Sequence, residues 1–478
     1  MGKRGGARLA CVSLAVALFS SAVRAETLQE IYDLTISSAP QMKAAEANFK
    51  AGKEALPQAR AGLLPSISGG VGLQRGEGIR HQSQLLGANF LAQSIGDYHD
   101  KTETYGVSLT QPVFDLPAWF TFQRGKSLDQ RASAQFSADQ QTILLSVTDA
   151  YFGVLRANEN LVTAEAEQRA LGRQLEQTKE RFDVGLLPIT DVHEAQAAYD
   201  SAVVNTLEAK NAVNIAFEAL EVLTGKPHNQ LIGLAKDFPV TKPEPLDHES
   251  WVQFAQANNF ALRVALLDRD AAESAAKVAK AEYLPKVAAS IGYQKNLYDG
   301  TLHRDAGLPN FDGTTGPAMS QPFADDQEST VVGLQLTAPL YTGGGITSRQ
   351  RQAYQESIRA QENYLLAQRT TTQRARSQHM QVLTDAARIG ARAQAITSAQ
   401  SALDATQAGY EVGTRNIVDV LLAQRALYQA QRDYANARFD YINSMLRLKE
   451  VAGQLGPGDV EQLNRWLDPG ITIGKAEQ

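Results

Sequence analysis

The feature that most constrains the fold of this chain is a tandem repeat. The stretch RFDVGLLPITDV at 181–192 returns 228 positions later, at 409–420, as GYEVGTRNIVDV. Two further segments recur in the same order at nearly the same offset: an Ala-rich run that ends in Leu-Pro, at Pro65 and Pro285, and a Leu-Thr-x-Pro segment, at Pro112 and Pro339. Three ordered matches indicate an internal duplication, so the fold must consist of two copies of one plan.

The duplication divides the chain into a first repeat at 26–250 and a second at 251–452. Within each repeat, apolar residues alternate with small or polar ones after the Leu-Pro and before the next proline. This period of two predicts strands of about ten residues, the length of a tilted membrane strand. The predicted strands are 66–75, 104–114, 287–296 and 329–341.

The segments between paired strands, 76–103 and 296–328, are rich in Gly, Asp, Asn, Gln and His and are predicted to be long exposed loops. Each strand has one apolar face and one small, polar face, as a water-filled barrel in lipid requires. The strand pattern alone is equally compatible with an ordinary soluble hairpin.

The helical parts are long. Residues 120–183 and 346–408 contain no proline and little glycine. In the first of these helices, and in the shorter helix that follows each copy of the repeated motif, alanine and apolar residues recur at alternating spacings of three and four. This pattern predicts coiled-coil packing with close helix axes. The fold class is therefore mainly α with membrane β.

The chain begins with a predicted secretory signal peptide at 1–25. A basic head containing Lys3 and Arg8 precedes an apolar run, and Val23-Arg24-Ala25 forms a small-residue cleavage site, so the mature chain is expected to begin at Glu26. The only cysteine, Cys11, lies in this segment. The mature chain is therefore expected to lack disulfides and thiolate metal sites.

Composition disfavours several classes of function. The chain has 46 Lys and Arg against 52 Asp and Glu, a net charge of −6, which argues against a nucleic-acid partner. The seven histidines show no metal-ligand spacing, and no phosphate loop or nucleophile motif is present. We therefore expect no enzymatic activity, no cofactor and no metal site.

Four strands cannot close a membrane barrel, because small barrels need about eight. An open sheet in lipid would leave the backbone groups at its edges without hydrogen bonds, at a cost of several kcal/mol each. If the strands lie in a membrane, the protein must form an oligomer. A dimer would supply eight strands and a trimer twelve.

The whole mature sequence resembles the TolC family of outer-membrane efflux and secretion ducts of Gram-negative bacteria. The resemblance rests on QPVFD at 111–115, APLYTGG at 338–344, both Val-Gly motifs, and especially AGYEVGTRNIVDVL at 408–421. It implies a homotrimer whose twelve-stranded outer-membrane β-barrel continues into a long periplasmic α-helical coiled-coil tunnel. Residues 226–250 and 453–478 would form a collar around the middle of that tunnel.

The resemblance also implies partners. These are a periplasmic adaptor (membrane fusion) protein, an inner-membrane ABC or RND-type transporter, and outer-membrane lipid. Many members of the multidrug and metal branch carry an N-terminal lipid cysteine, which this chain lacks. It is therefore nearer to the non-lipidated branch, which includes the outer-membrane proteins of type I secretion. The sequence does not distinguish drugs from unfolded proteins as the exported substrate.

Both copies of the repeated motif are interpreted as turns of helical hairpins at the periplasmic end. Gly185 and Gly413 permit the bend. Thr190 or Asp191 in one copy, and Asn416 in the other, are candidate N-caps. The resemblance implies that the adaptor docks at these tips, on Gly185, Leu186, Gly413 and Thr414.

The resemblance further implies a gate. Tyr410 would bond to Gln174, and Arg415 would be held by Thr190 and Asp191. Bonds of about 1–3 kcal/mol each could hold the tunnel shut and still yield to an adaptor. An alternative from the residues alone is that Arg415 and Asp419, four positions apart, form only a surface helix pair.

Asp419 matches one acidic ring at the pore constriction of the family. The position of a second ring is occupied by Leu422, which departs from the family pattern. One ring of carboxylates still favours cations. The main alternative function is a periplasmic coiled-coil structural or adaptor protein, although such a protein would have no use for four amphipathic strands.

Overall fold

The computed structural model describes residues 25–86, 90–304, 314 and 317–476, so the predicted signal peptide at 1–25 lies outside the described residues except for Ala25. In each repeat two strands are followed by a long helix and a shorter one, which confirms the duplication. The elements are α1 Leu28–Ser38, α2 Pro40–Lys53, α3 Ala55–Ala61, β1 Ser66–Leu86, β2 Phe90–Phe114, α4 Leu116–Asp183, α5 Ile189–Thr224, β3 Gln230–Leu234, α6 His248–Asn258, α7 Phe260–Ala281, β4 Lys286–Arg304, β5 Met319–Thr337, α8 Gly345–Glu411, α9 Ile417–Val451, α10 Pro457–Asn464 and β6 Leu467–Gly474.

The chain forms two compact units. The first, the sheet unit, comprises Ala47–Phe136 and Phe260–Arg369. The second, the helical unit, comprises the described residues up to Glu46 together with Ser137–Asn259 and the chain from Thr370 onward. The 68 residues of α4 and the 67 residues of α8 confirm the two long helices predicted from the sequence.

The sheet unit contains one antiparallel sheet with strand order β1-β2-β4-β5. Ile67, Leu109, Ile291 and Val332 are successive cross-strand partners and form an apolar row across the sheet. One residue away, on the opposite face, the matching row is Ser66, Thr110, Ser290 and Gly333. The predicted alternation of apolar and small polar faces is therefore confirmed, and the apolar row has exposed side chains on β1, β4 and β5.

The strands extend well beyond their predicted ends. The loops predicted at 76–103 and 296–328 are largely strand in the described residues; 87–89, 305–313 and 315–316 lie outside them. Polarity stops alternating in these segments, but the hydrogen-bonded ladder continues, and Lys295 bridges to Asp326 and Glu328 across it at 2.9 and 2.7 Å. Backbone pairing satisfies the peptide groups whether or not one face is apolar.

The fourth strand also ends earlier than predicted. β5 stops at Thr337 rather than at Tyr341. Pro339 follows two residues later and has no N–H to donate to a ladder. Gly343 and Gly344 then adopt positive φ angles of 61° and 82°, and α8 begins at Gly345.

In the helical unit, α5 buries a stripe that differs slightly from the predicted seam. The spacing of three and four places the seam residues at Ala202, Val213, Ala216, Leu220 and Leu223. Ala202, Val213 and Leu220 are buried, but Phe217 and Thr224 are buried in place of Ala216 and Leu223. An α-helix has 3.6 residues per turn, so a face described by a strict 3.5-residue repeat drifts along a long helix. Within the described residues, no helix is both long and apolar enough to cross a bilayer.

The segments predicted to form a collar build a small structure of their own. β3 and β6 pair in an antiparallel two-stranded sheet, and Glu26 adds a parallel bridge to Leu231. The ring of His228 is fully buried between the hydroxyl of Thr224 and the carboxylate of Glu26. The position of this structure around a tunnel remains a prediction.

Candidate functional site

The first hairpin tip joins α4 to α5. Gly185 has a φ of +76°, in the left-handed region. Its N–H donates to the carbonyl of Phe182 at 2.8 Å, and the N–H of Leu186 donates to the carbonyl of Arg181 at 2.9 Å. This pair of bonds is the Schellman motif, which satisfies the last carbonyls of a helix and turns the chain away.

The second tip joins α8 to α9 and has the same backbone. Gly413 has a φ of +79°. Its N–H donates to the carbonyl of Tyr410 at 3.1 Å, and the N–H of Thr414 donates to the carbonyl of Gly409 at 2.9 Å. The predicted role of both glycines in the bend is confirmed, because a side chain at these φ values is strained.

The two tips restart their helices differently. Asn416 is the N-cap of α9, and its side-chain oxygen accepts a bond from the N–H of Asp419 at 2.8 Å, as predicted. For α5 the prediction was wrong: the N-cap is Pro188, and Thr190 and Asp191 lie inside the first turn. Pro188 already has the extended backbone of a cap, with φ −74° and ψ 155°, so the helix begins earlier than a Thr or Asp cap would allow.

One apolar cluster packs all four helices together behind the tips. Its buried members come from α4, α5, α8 and α9, and the half-buried Tyr199 and Tyr410 pack against it. Such burial stabilises by roughly 1.5–3 kcal/mol per large side chain, so the hairpins are held as a pair. The buried members are Leu171, Ala198, Ala202, Leu403, Ile417, Val420, Leu421 and Leu427.

Tyr410 contacts the end of α4 rather than forming the predicted bond to Gln174 within the chain. The guanidinium of Arg181 lies over its ring, 5.5 Å from the ring centroid. The Tyr410 hydroxyl is buried, and the side chains of Arg181 and Thr178 are the polar groups that interact with it. Burial raises the pKa of Tyr410, and the negative charge of Asp191 adds to this effect while Arg181 opposes it.

Gln174 lies on the same stretch of α4 and is buried. One turn later the hydroxyl of Thr178 donates to its backbone carbonyl at 2.7 Å. The sequence does not predict a role for Arg181. It shows Arg181 four residues before Gly185 and an aromatic residue at position 410, but it does not show that the two are in contact. The signal that was missing is the distance between two helices that are more than two hundred residues apart in the chain.

Arg415 is 61% exposed, and its guanidinium lies 3.7 Å from the carboxylate of Asp419. Within one chain this is the surface helix pair considered from the sequence. Thr190 and Asp191 are close neighbours in α5, with the Thr190 hydroxyl 3.4 Å from the Asp191 carboxylate. The pairing of Arg415 with these two residues remains a prediction.

The tips carry exposed apolar side chains. Val184, Leu186 and Val412 are 70%, 73% and 74% exposed. Leu422, at the position of the expected second acidic residue, is also exposed. Isolated exposed apolar residues are ordinary, but a group at both turns of one hairpin pair is typical of a contact surface.

The fold and its two tips match a known class of proteins. The family model of outer membrane efflux proteins matches residues 31–226 and 251–454. The chain belongs to the outer membrane efflux protein family. It is 34% identical over 459 residues to outer membrane protein TolC of Vibrio cholerae, a match that covers 95% of this chain and 97% of that protein.

Other members and structures agree with this assignment. The chain is 28% identical over 432 residues to the alkaline protease secretion protein AprF of Pseudomonas aeruginosa, covering 90% of this chain and 85% of that protein. It also has the fold of the outer membrane protein VceC from Vibrio cholerae, with a TM-score of 0.68 at 19% identity over 89% of this chain and 96% of that one.

As an outer membrane efflux protein, the chain is an exit duct that lies in the outer membrane and extends into the periplasm. The family, the fold class and the location predicted from the sequence are confirmed. The alternative of a periplasmic structural or adaptor protein is not supported.

Proposed function

We propose that three copies of the chain close one duct, gated at the hairpin tips and opened by a periplasmic adaptor. The four-stranded sheet ends in β1 and β5, and in the described residues neither strand has a neighbour on its outer side. Edges of this kind cannot remain unpaired in lipid. Pairing β1 of one copy with β5 of the next closes a barrel, and three copies give the twelve strands expected from the family.

The gate is proposed to lie at the second tip of each chain. Arg415 is exposed, so its side chain is available to pair with Thr190 and Asp191 of a neighbouring copy. Tyr410 packs against the apolar cluster and against Arg181 of α4. The single observation that carries this proposal is the asymmetry of the tips. Both have the same turn, but Tyr410 and Arg415 of the second tip stand where the first has the apolar Phe182 and Leu187.

Asp419 is proposed to line the constriction. It occupies the first turn of α9, and its side chain is 35% exposed. Three such carboxylates would favour cations. Leu422, one turn further along the same helix, would make the second level of the constriction apolar, so a multivalent cation would be held less tightly than between two acidic rings.

The adaptor is proposed to dock on the tips at Gly185, Leu186, Gly413 and Thr414. Exposed apolar side chains beside the glycines supply contact area, and the glycine backbones allow close approach. The inner-membrane partner is proposed to be an ABC or RND-type transporter. The similarity to AprF, a protease secretion protein, supports unfolded protein as one substrate, and the family name supports small efflux substrates as another.

Single-channel conductance in planar bilayers tests the gate. Wild type is expected to show small, cation-selective openings. Arg415→Ser removes charge-assisted bonds of about 1–3 kcal/mol each and is expected to shift the closed–open balance about tenfold or more, giving larger openings. The matched control is Leu187→Ser, which makes the equivalent change at the first tip and should leave conductance unchanged.

Two results would argue against this proposal. Openings of the same size in Arg415→Ser and wild type would leave the duct intact and remove Arg415 from the gate. Equal enlargement in Leu187→Ser would mean that any perturbation of a tip opens the channel, so that no specific lock exists. The number of chains per channel is checked separately by the mass of the detergent-solubilised complex.

A further inference from the structure

A buried histidine in the helical unit has an unsatisfied ring nitrogen. His379 on α8 is 3% exposed, and its Nε2 atom is buried without a hydrogen-bond partner. The ring makes a backbone hydrogen bond to Leu246, in the proline-rich segment before α6. Since Nε2 is the atom without a partner, Nδ1–H is the donor in that bond and Nε2 carries a free lone pair.

This arrangement is the one that metal-binding histidines usually show. One ring nitrogen donates to a carbonyl or carboxylate, which fixes the tautomer, and the other is left for the metal. Burial, and then the neighbouring His248, lowers the pKa of His379, a shift in the direction of the neutral ring. An unpaired polar atom in the interior costs free energy, and native structures rarely leave one unexplained.

A second imidazole faces the first. His248 is the first residue of α6, and its ring centroid lies 6.5 Å from that of His379 at an interplanar angle of 47°. Two imidazoles on one zinc ion, with Zn–N bonds of ~2.0–2.1 Å, have centroids roughly 5–6 Å apart. The His248 side chain is 55% exposed, so it can rotate to close the remaining distance.

The neighbouring carboxylates face His248 and also have partners of their own. Asp247 lies 3.9 Å from Nδ1 of His248, and Glu249 lies 3.8 Å from its Nε2. Asp247 caps α6 by accepting from the N–H of Ser250 at 3.1 Å, and Glu249 lies 3.1 Å from Arg376. No three described His, Cys, Asp or Glu side chains already surround one metal position. A metal bound here would therefore have two imidazole ligands and water in its other positions.

We propose that His379 and His248 form a binding site for a zinc-like divalent transition-metal ion, with water completing the coordination. The ion would tie the start of α6 to α8, because one ligand lies on each helix. The two helices already share the apolar contact of Val252 and Ala255 with Ala375. This site is independent of the proposed gate, which lies at the tips.

The chain offers a matched control. His99 and His303 also face each other, with ring centroids 5.9 Å apart, on β2 and β4. Both of these rings are exposed, and neither carries a buried nitrogen without a partner. If any close pair of histidines were enough to bind a metal, substitutions at His99 or His303 would weaken binding as much as substitutions at His248 or His379.

The test is calorimetric titration of zinc chloride into the full-length protein in detergent. Wild type is expected to bind one zinc ion per chain. His379→Gln and His248→Gln are each expected to weaken binding ~10- to 100-fold, and His99→Gln is expected to leave it unchanged. Because His248 is exposed, His248→Gln keeps the proposal testable even if the buried substitution prevents folding.

Hydrogen exchange supplies a second readout. Zinc is expected to slow amide exchange in 246–258 of the wild-type protein and to have no effect there in His248→Gln. The proposal is overturned if His248→Gln binds zinc as tightly as wild type. It is also overturned if His99→Gln alone abolishes binding, because the exposed pair would then be the site.

Discussion

The two hairpin tips have one backbone and two sets of side chains. Both end a long helix in a Schellman motif at a glycine with φ near +80°. At equivalent positions the first tip has Phe182, Leu187 and Pro188, whereas the second has Tyr410, Arg415 and Asn416. The comparison teaches that the duplication preserved the turn, which the helix geometry requires, while the side chains at these three positions are polar in the second copy only.

The shared residues are as informative as the different ones. Asp191 and Asp419 occupy the same place in the first turn of the second helix of each hairpin. A carboxylate there interacts favourably with the helix dipole, which is sufficient to explain both. The surroundings of the two aspartates differ. The charge of Asp191 raises the pKa of Tyr410, whereas Asp419 pairs with Arg415.

If the turn is truly common to both tips, Gly185→Ala and Gly413→Ala should have the same effect. Each is expected to destabilise its tip by about 1–2 kcal/mol, because an L-residue is strained in the left-handed region. An added Cβ would meet nothing within 4 Å at either position, so strain is the only cost. The measurement is the free energy of local opening from amide hydrogen exchange at the ends of α4 and α8.

The control for these substitutions is Gly390→Ala, within α8. An added Cβ there also meets open space, but the backbone is helical. It is expected to stabilise by about 0.5–1 kcal/mol. A large difference between the costs at Gly185 and Gly413 would show that one turn is supported by something besides its backbone.

A smaller effect should separate the two helix starts. Asn416→Ala removes the side-chain oxygen that accepts from Asp419 and is expected to cost about 1 kcal/mol, whereas Asn416→Asp retains an acceptor and should cost little. The unfolding free energy in guanidinium is the measurement. An alanine variant as stable as wild type would contradict this prediction. The side-chain cap of α9 would then contribute no stability, and α9 would resemble α5, which has no side-chain cap at Pro188.

The smallest expected difference depends on pH. The pKa of Tyr410 is raised by burial, so the stability that its neutral form contributes is complete below the ordinary tyrosine pKa near 10 and is lost as pH rises through the raised value. Phe182, at the equivalent position, cannot ionise. Channel conductance is therefore expected to increase at strongly alkaline pH in wild type but not in Tyr410→Phe, and parallel titrations of the two proteins would contradict this.

The sequence predicts what depends on local pattern. The repeat, the two long helices, the apolar row that includes Ile67 and the bends at Gly185 and Gly413 all follow from spacing or from the conformational range of glycine. The strand ends do not, because alternation stops near Lys295 whereas hydrogen bonding continues. Where both faces of a strand are in water, backbone pairing does not require apolar and polar residues to alternate, so the sequence pattern does not reveal the strand.

Contacts between distant segments are equally hidden. The approach of Arg181 to Tyr410 and of His248 to His379 depends on how helices from different parts of the chain are packed. No spacing rule connects such residues. The N-cap of α5 illustrates a different limit. By residue type Thr190 and Asp191 are better N-caps than Pro188, but the helix begins after Pro188, whose backbone is already extended.

The extension of the strands beyond the apolar row has a consequence for recognition by antibodies or other large binding proteins. Residues 76–79 and 97–101 are held in register by a backbone ladder, so their exposed side chains are presented at fixed spacings. A protein that binds this surface would lose little conformational entropy in ordering it. Exposed side chains there, such as Glu77 and His99, can change without altering the backbone. A substitution at these positions would alter what binds while leaving the path of the backbone unchanged.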